Sequence, residues 1–445
     1  MSRLAAIFHR NREFVNSVAT LMTGRSLAFV IGFAFVPIVA RLFDPADFGR
    51  ATLFISVVSV MGSISTLRLE RAAVLPKNDG EGAGLIRLAV LALLALCAVL
   101  LLLNVAAWLF DFQLPLADRL GGWTWALPLG LAVFSLINIA EGWLVRKKQY
   151  RIMANTDVAR ATAMGGLRVA AGAAFGSSTW ALIVAYLIAF GGRAAALVGA
   201  MVRSMPDRDE RAKLAADADH SLGALGRQYK DFPLYNAPAG FVRNFSENLP
   251  VVMLGYLFAP AVVGFYAMAN RIVRAPLGLA SAAVRRVYLQ RAATIHNDQL
   301  SLRGSLIKTT VVLAAIGIVP FGLLWLEGEL LFRFVLGEKW TFAGRYAQIL
   351  APWLYSTWVI SATGSLAVVL RKQALWLRMQ IIITALRLAV FAYAYSSGAT
   401  PEWTLQAFAA VSVAANAVIM AVTFGLVAQA DGRRRALKRQ QADTQ

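Results

Sequence analysis

The sequence predicts an all-α polytopic membrane protein with about twelve transmembrane helices in two lobes of six. Three observations carry that prediction: an apolar composition, long apolar stretches at regular spacing, and basic residues that alternate from one side of those stretches to the other. The 445 residues are 58% hydrophobic and 15% charged, where soluble domains carry about 25% charged residues. Mean hydropathy is +0.61. Disordered, collagenous and soluble-enzyme classes fail on those figures. The formal net charge is nonetheless +20, from 44 Lys+Arg against 24 Asp+Glu. A nucleic-acid binder would cluster such charge on a polar surface. The apolar runs leave little room for one, so no nucleic-acid partner is expected. The single cysteine, Cys97, lies in an apolar run and cannot form an internal disulfide. His9, His220 and His296 are too far apart for metal-ligand spacing, and no cofactor or metal is expected.

A lipid-spanning helix needs about 20 mainly apolar residues. Such stretches run over 15–40, 50–66, 85–110, 121–143, 154–175 and 180–201, then over 233–256, 262–284, 304–326, 346–370, 375–395 and 403–428. The first is too long for a signal-peptide core, contains Arg25 and lacks a small-x-small cleavage site, so it reads as an uncleaved span. The second is short. The third is the clearest, because Leu88 to Leu103 carries no polar side chain except the thiol of Cys97. Asp157, Arg160 and Arg168 dilute the fifth, and Arg193 lies in the sixth. The seventh holds a polar stripe of Tyr235, Asn236, Arg243, Asn244, Glu247 and Asn248. Arg271 and Arg274 fall in the eighth and Arg387 in the eleventh.

Basic residues in the flanking segments set orientation. The N-terminus and every second connection (1–14, 67–84, 144–151, 202–231, 285–303, 371–378 and 429–445) together hold 28 Lys+Arg, and the opposite connections hold 6. Both termini are therefore expected in the cytoplasm. A missed span would scramble that alternation.

Each half opens alike once its first span has crossed. Leu42-Phe43-Asp44-Pro45-Ala46-Asp47-Phe48-Gly49 and Leu257-Phe258-Ala259-Pro260-Ala261-Val262-Val263-Gly264 both read L-F-x-P-A-x-x-G. The shared position in the topology points to an internal duplication. Six spans per half is an even number, so the halves keep one orientation and form a parallel pseudo-repeat. The expected organisation is an N-terminal lobe over 1–202, a cytoplasmic linker over 203–231 with Arg208, Asp209, Glu210, Arg211 and Lys213, a C-terminal lobe over 232–428, and a basic cytoplasmic tail over 429–445.

Arginine at the bilayer centre costs about 2.5–3.5 kcal/mol on insertion scales, so arginines within spans face a wet cavity, pair with acids or reach the interface. Arg87 and Lys308 lie near cytoplasmic ends and snorkel. Arg193, towards the cytoplasmic end of its span, reads the same way. Asp157 and Arg160 are three apart and pair. Arg243 and Glu247 are four apart, and either neutralise one another or leave Arg243 to an anion. Asn16, Thr20 and Thr23 form a polar stripe leading to Arg25. For Arg25, Arg271 and Arg274 no acid lies three or four residues away, so these read as groups facing an anion in an aqueous cavity. Arg271 and Arg274 share a helical face. With Arg168, Arg243, Arg387, Asn236 and Asn244 they make up the expected substrate cavity. Guanidinium suits phosphate because its fork matches two oxygens and its charge persists at any cellular pH.

The arginines in spans outnumber Asp157, Glu247 and Glu141, the reverse of what a drug or cation antiporter wants. No G-x-x-x-x-G-K-[ST] run builds in ATP hydrolysis. The outward connection 326–345 offers only Glu327, Glu329 and Glu338, which read as a solvated face and not as paired catalytic carboxylates. The chain is not expected to be an enzyme.

Three stretches carry a resemblance. They are Arg41 to Gly49; Arg68-Leu69-Glu70-Arg71-Ala72-Ala73-Val74-Leu75-Pro76; and Pro233 to Pro238 with Asn248-Leu249-Pro250 and Val263 to Arg271. With them the chain resembles the Wzx-type polysaccharide and O-antigen flippases, the lipopolysaccharide biosynthesis proteins of the multidrug/oligosaccharidyl-lipid/polysaccharide exporter superfamily. The resemblance implies a MATE-like fold in the bacterial inner membrane. It implies a cargo of polyprenyl-pyrophosphate-linked oligosaccharide repeat units, moved by alternating access of two lobes around a cationic cavity. It also implies membrane lipid, a polysaccharide polymerase and chain-length proteins as partners. Glu247 departs from the pattern, where a neutral polar residue is expected. A peptidoglycan-precursor (lipid II) flippase, a MATE-type drug or cation antiporter, and a membrane glycosyltransferase or polymerase are the competing readings.

Overall fold

The structure is a computed structural model, and it describes residues 22–112, 117–206, 221–297, 301–363, 366, 370 and 372–443. Asn16 and Thr20 of the first polar stripe, Arg208 to Lys213 of the linker, and His9 and His220 lie outside the described residues. Among those described the secondary structure is helical and contains no β-strand. The long helices are α1 (Met22–Leu42), α2 (Pro45–Gly62), α3 (Asp79–Phe110), α4 (Leu127–Arg146), α5 (Tyr150–Phe175), α6 (Thr179–Arg203), α7 (Ala237–Leu257), α8 (Pro260–Asn297), α9 (Leu302–Leu336), α10 (Thr341–Val359), α11 (Gln373–Ser397) and α12 (Pro401–Asp443).

Among the described residues seven candidate spans have the length and apolarity to cross a membrane: those of α1, α3, α4, α6, α9, α11 and α12. The twelve expected stretches therefore divide into two kinds. Helices α2, α5, α7, α8 and α10 occupy the remaining expected places but carry more polar side chains, such as Asp157, Arg160 and Arg168 on α5.

Helix limits follow from local chemistry. Pro45 starts α2 and Pro128 lies in the first turn of α4, where proline's missing N–H costs nothing. Asn78 caps α3 by accepting from the Gly80 amide at 2.9 Å. Gly398, in the left-handed region at φ 63°, ends α11.

The chain forms two compact units, Met1–Gly264 and Phe265–Gln445. The described part of the expected linker, 203–206 and 221–231, belongs to the first. There α5 packs on α6, α4 on α3 and α6, and α2 on α4, α6 and α7. The core lies among α3, α4 and α6, around Leu85, Leu93, Ile139, Trp143 and Leu197. Trp143 is fully buried, and its Nε1–H donates to Ser204 Oγ at 3.0 Å. Small residues bring α1 against α5, with Gly24 on Ala154 and Gly165 on Phe35. At the start of α2, Asp47 accepts from Ser177 Oγ at 2.7 Å and Thr179 Oγ1 at 2.6 Å, which ties α2 to the α5–α6 turn.

The two copies of L-F-x-P-A-x-x-G meet. A Cβ on Gly49 would run into the carbonyl of Pro260, and a Cβ on Gly264 would run into the carbonyl of Pro45. Each glycine seats on the opposite proline, a reciprocal crossing that only glycine permits.

In the second unit α9 packs along α10, and α10 and α11 pack on α12. Gly328 and Gly344 bring the backbones of α9 and α10 together. Tyr355 OH and Trp358 Nε1 of α10 donate to the carbonyls of Ala314 and Leu313, at 3.2 and 2.7 Å. Asp431 of α12 is buried and caps α9, accepting from Ser301 Oγ at 2.7 Å and from the amides of Leu302 and Arg303 at 3.2 Å.

Candidate functional site

The second unit assembles a cationic cluster from residues far apart in sequence. Arg274 of α8 and Arg387 of α11 both lie over the ring of Trp353 on α10, with Cζ at 5.6 and 5.5 Å from its centroid. Arg387 also lies 5.3 Å from the ring of Phe408 on α12, and its Nε–H donates to Ser412 Oγ at 3.0 Å. Trp353 is 5% exposed and sits edge-on to Phe408 at 5.0 Å. Tyr266, buried on α8, is close enough to interact electrostatically with both arginines. Among the described residues neither arginine has an acid within ion-pair distance; the one ion pair of this unit joins Arg333 to Glu338 at 3.8 Å. The aromatic faces offset part of the mutual repulsion, since each stacked cation gains about 0.5–2 kcal/mol. They supply no counter-charge.

Arg271 lies one turn before Arg274 on α8 and is half-buried. The same helix borders an apolar cleft of about 360 Å³ lined by Ile272, Leu277, Phe321, Leu324 and Trp358.

The first unit holds its charges differently. Arg160 pairs with Asp157 at 2.9 Å, as its spacing predicts, and stacks over Phe190 at 4.7 Å. Arg193 does not snorkel. It pairs with Glu141 of α4 at 2.7 Å and with Asp157 of α5 at 3.6 Å, two carboxylates that neighbouring helices bring to its guanidinium. This network is structural. Arg193→Ala leaves two mostly buried carboxylates short of a partner and should destabilise the protein by about 3–5 kcal/mol. Thermal unfolding in detergent checks this, and Glu141→Gln in the same chain should recover part of the loss.

The remaining expected cavity residues are dispersed. Arg25 is exposed on α1, within electrostatic range of Arg193. Arg168 is 4% exposed on α5. Asn236 is exposed at the end of a π-helical turn, Phe232–Asn236, that leads into α7. Asn244 Oδ1 accepts from Ser59 Oγ at 3.3 Å and from Asn248 Nδ2 at 2.8 Å, so it fastens α7 to α2. Arg243 and Glu247 are both exposed, and among the described residues no ion pair joins them.

Sequence reasoning missed Trp353, Phe408, Ser412 and Tyr266, which read as ordinary span residues. No local spacing links positions 274, 353 and 387. It also took Arg68 as a loop cation and as part of the stretch Arg68 to Pro76, and not as a site residue. Among the described residues no group of His, Cys, Asp and Glu is arranged to hold a metal ion.

Residues 38–344 match the family described as "Polysaccharide biosynthesis protein". The succinoglycan biosynthesis transport protein ExoT of Rhizobium meliloti (strain 1021) is 23% identical over 76% of this chain and 66% of its own length. The match thus spans just under two thirds of that relative. Among solved structures, the lipid II flippase MurJ in an inward closed conformation aligns with a TM-score of 0.67 at 10% identity, covering 95% of this chain and 91% of that one. The inward-facing conformation of a multidrug resistance MATE family transporter of the MOP superfamily aligns at 0.58 and 14% identity, covering 96% and 99%. At such identities the likeness is one of fold.

Proposed function

Because this chain belongs to the polysaccharide biosynthesis protein family, we propose that it is a flippase that carries polyprenyl-pyrophosphate-linked oligosaccharide repeat units across the bacterial inner membrane. Both termini lie in the cytoplasm, and the cargo moves from the cytoplasmic to the periplasmic leaflet by alternating access. No bond is made or broken, so the protein is a transporter and not an enzyme. The observation that carries the reading is the pair Arg274 and Arg387 over Trp353, two guanidiniums within a membrane protein with no acid within ion-pair distance among the described residues. A pyrophosphate supplies the missing charge and accepts bidentate hydrogen bonds from each fork. The neighbouring apolar cleft offers a path for the first isoprene units, and sugars occupy the wetter space beyond. A cationic drug would meet the wrong charge. A polysaccharide polymerase and chain-length proteins take the product.

The test is cellular. A strain lacking this protein should lose surface polysaccharide and accumulate lipid-linked oligosaccharide on the cytoplasmic leaflet, and the intact chain should restore both. Unchanged surface polysaccharide and no accumulated precursor would rule the reading out.

A further inference from the structure

The segment after α2 is built in an unusual way. Leu67 and Arg68 both sit in the left-handed region, at φ 52° and 59°, and neither is glycine. Consecutive residues held there cost about 1–3 kcal/mol each, so the surrounding structure must impose them. Two contacts do so. Glu70, 4% exposed, accepts from Thr66 Oγ1 at 2.6 Å, and its backbone packs against Gly142 of α4, where a Cβ would strike it.

The turn delivers the Arg68 side chain to the first turns of α7. Its guanidinium lies over Gly240, where a Cβ would come within 2.8 Å of Nε and Nη2. The side chain is 11% exposed, and its Nε is buried without a hydrogen-bond partner among the described residues. Glu70 is 3.9 Å away and divides its charge between Arg68 and Arg71. Burial lowers the Arg68 guanidinium below its ordinary range, Arg71 lowers it further, Glu70 opposes, and Arg243, three residues beyond Gly240, lowers it again. Arg71 and Arg243 thus add to the positive charge around Arg68, and among the described residues Glu70 is the acid within ion-pair distance of it.

We propose that Arg68, whose guanidinium lies over Gly240, and Arg243, one turn further along α7, form a clamp for the phosphate oxygens of a diphosphate, a site separate from the arginines on Trp353. This rests on reading the cargo as a diphosphate-linked lipid, and it names the group that meets that diphosphate in the first unit. The buried Nε of Arg68 gains the acceptor it lacks, and the exposed Arg243 closes on the other side.

The test is binding to the full-length protein purified in detergent, with three probes: a polyprenyl diphosphate, inorganic pyrophosphate and phosphatidylglycerol. The intact chain should bind both diphosphates in preference to the phospholipid. Arg68→Ala should weaken polyprenyl diphosphate binding by about 10- to 100-fold, the worth of charge-assisted hydrogen bonds. Gly240→Ala should weaken it as well with an unchanged melting temperature, because only the tip of Arg68 must move. Arg68→Lys should fall between, since it keeps the charge and loses the fork. If the intact chain binds polyprenyl diphosphate and both alanine variants bind it equally well, the clamp is wrong and the cargo reading survives. If phosphatidylglycerol binds as tightly and shares the dependence on Arg68, the site is a membrane headgroup site and the diphosphate assignment fails. If the intact chain binds neither diphosphate, the cargo reading fails with it.

Discussion

Replacing Arg274 and Arg387 together by alanine abolishes transfer of the lipid-linked cargo, while the protein still inserts and elutes as the intact chain does. On the proposed reading each guanidinium gives the pyrophosphate charge-assisted hydrogen bonds, worth about 1.5–3 kcal/mol apiece. Either single replacement should therefore slow transfer by about 10- to 100-fold, and the pair by about a thousandfold or more. Stability should move the other way from Arg193→Ala. Arg193 sits between Glu141 and Asp157, and its loss strands Glu141 and leaves Asp157 to Arg160 alone. Among the described residues Arg274 and Arg387 have aromatic rings and the Ser412 hydroxyl beside them but no acid within ion-pair distance, so their removal relieves repulsion and leaves no carboxylate unpaired. Arg274→Lys keeps the charge but not the fork and should retain part of the activity. Transfer in proteoliposomes and thermal unfolding, measured on the same preparations, separate the two kinds of arginine. A double variant that moves cargo at the rate of the intact chain would remove the cluster from the transport path.

Gly49→Leu and Gly264→Leu each destabilise the protein by about 3 kcal/mol, at the upper end of what overpacking usually costs. The obstacle at both positions is a backbone carbonyl, that of Pro260 against Gly49 and of Pro45 against Gly264. A carbonyl at the first turn of a helix cannot turn aside as a side chain can. Gly240→Ala, which meets only the tip of Arg68, should leave the melting temperature unchanged. Thermal unfolding of the three variants in one detergent gives the comparison. A Gly49→Leu protein that melts with the intact chain would mean that the two repeats do not cross as described.

The fold class was legible because apolarity over about 20 residues is a local property. Leu88 to Leu103 announces α3 without reference to any other part of the chain. The L-F-x-P-A-x-x-G repeat was legible as a pattern, but the meeting of Gly49 with Pro260 was not, since two matching turns need not touch. Charge pairs divide along the same line. Asp157 and Arg160 are three apart on one helix, so their ion pair followed from spacing. Arg193 and Glu141 are 52 residues apart, and only the packing of α4 on α6 brings them together. The convergence of Arg274 and Arg387 on Trp353 is of that second kind. Arg68 was hidden for another reason. Counted among the basic residues of a connection, it served as an orientation signal, and the left-handed turn that carries it to Gly240 has no glycine to mark it.

Purified protein reconstituted in liposomes, with a fluorescent polyprenyl-pyrophosphate oligosaccharide in one leaflet and a membrane-impermeant quencher outside, measures transfer without any cellular machinery. The flippase account predicts that the intact chain equilibrates the labelled lipid between leaflets, and that the Arg274 and Arg387 double variant does not. A chain that moves cationic drugs across the same membrane and leaves the pyrophosphate-linked lipid where it was placed would contradict it.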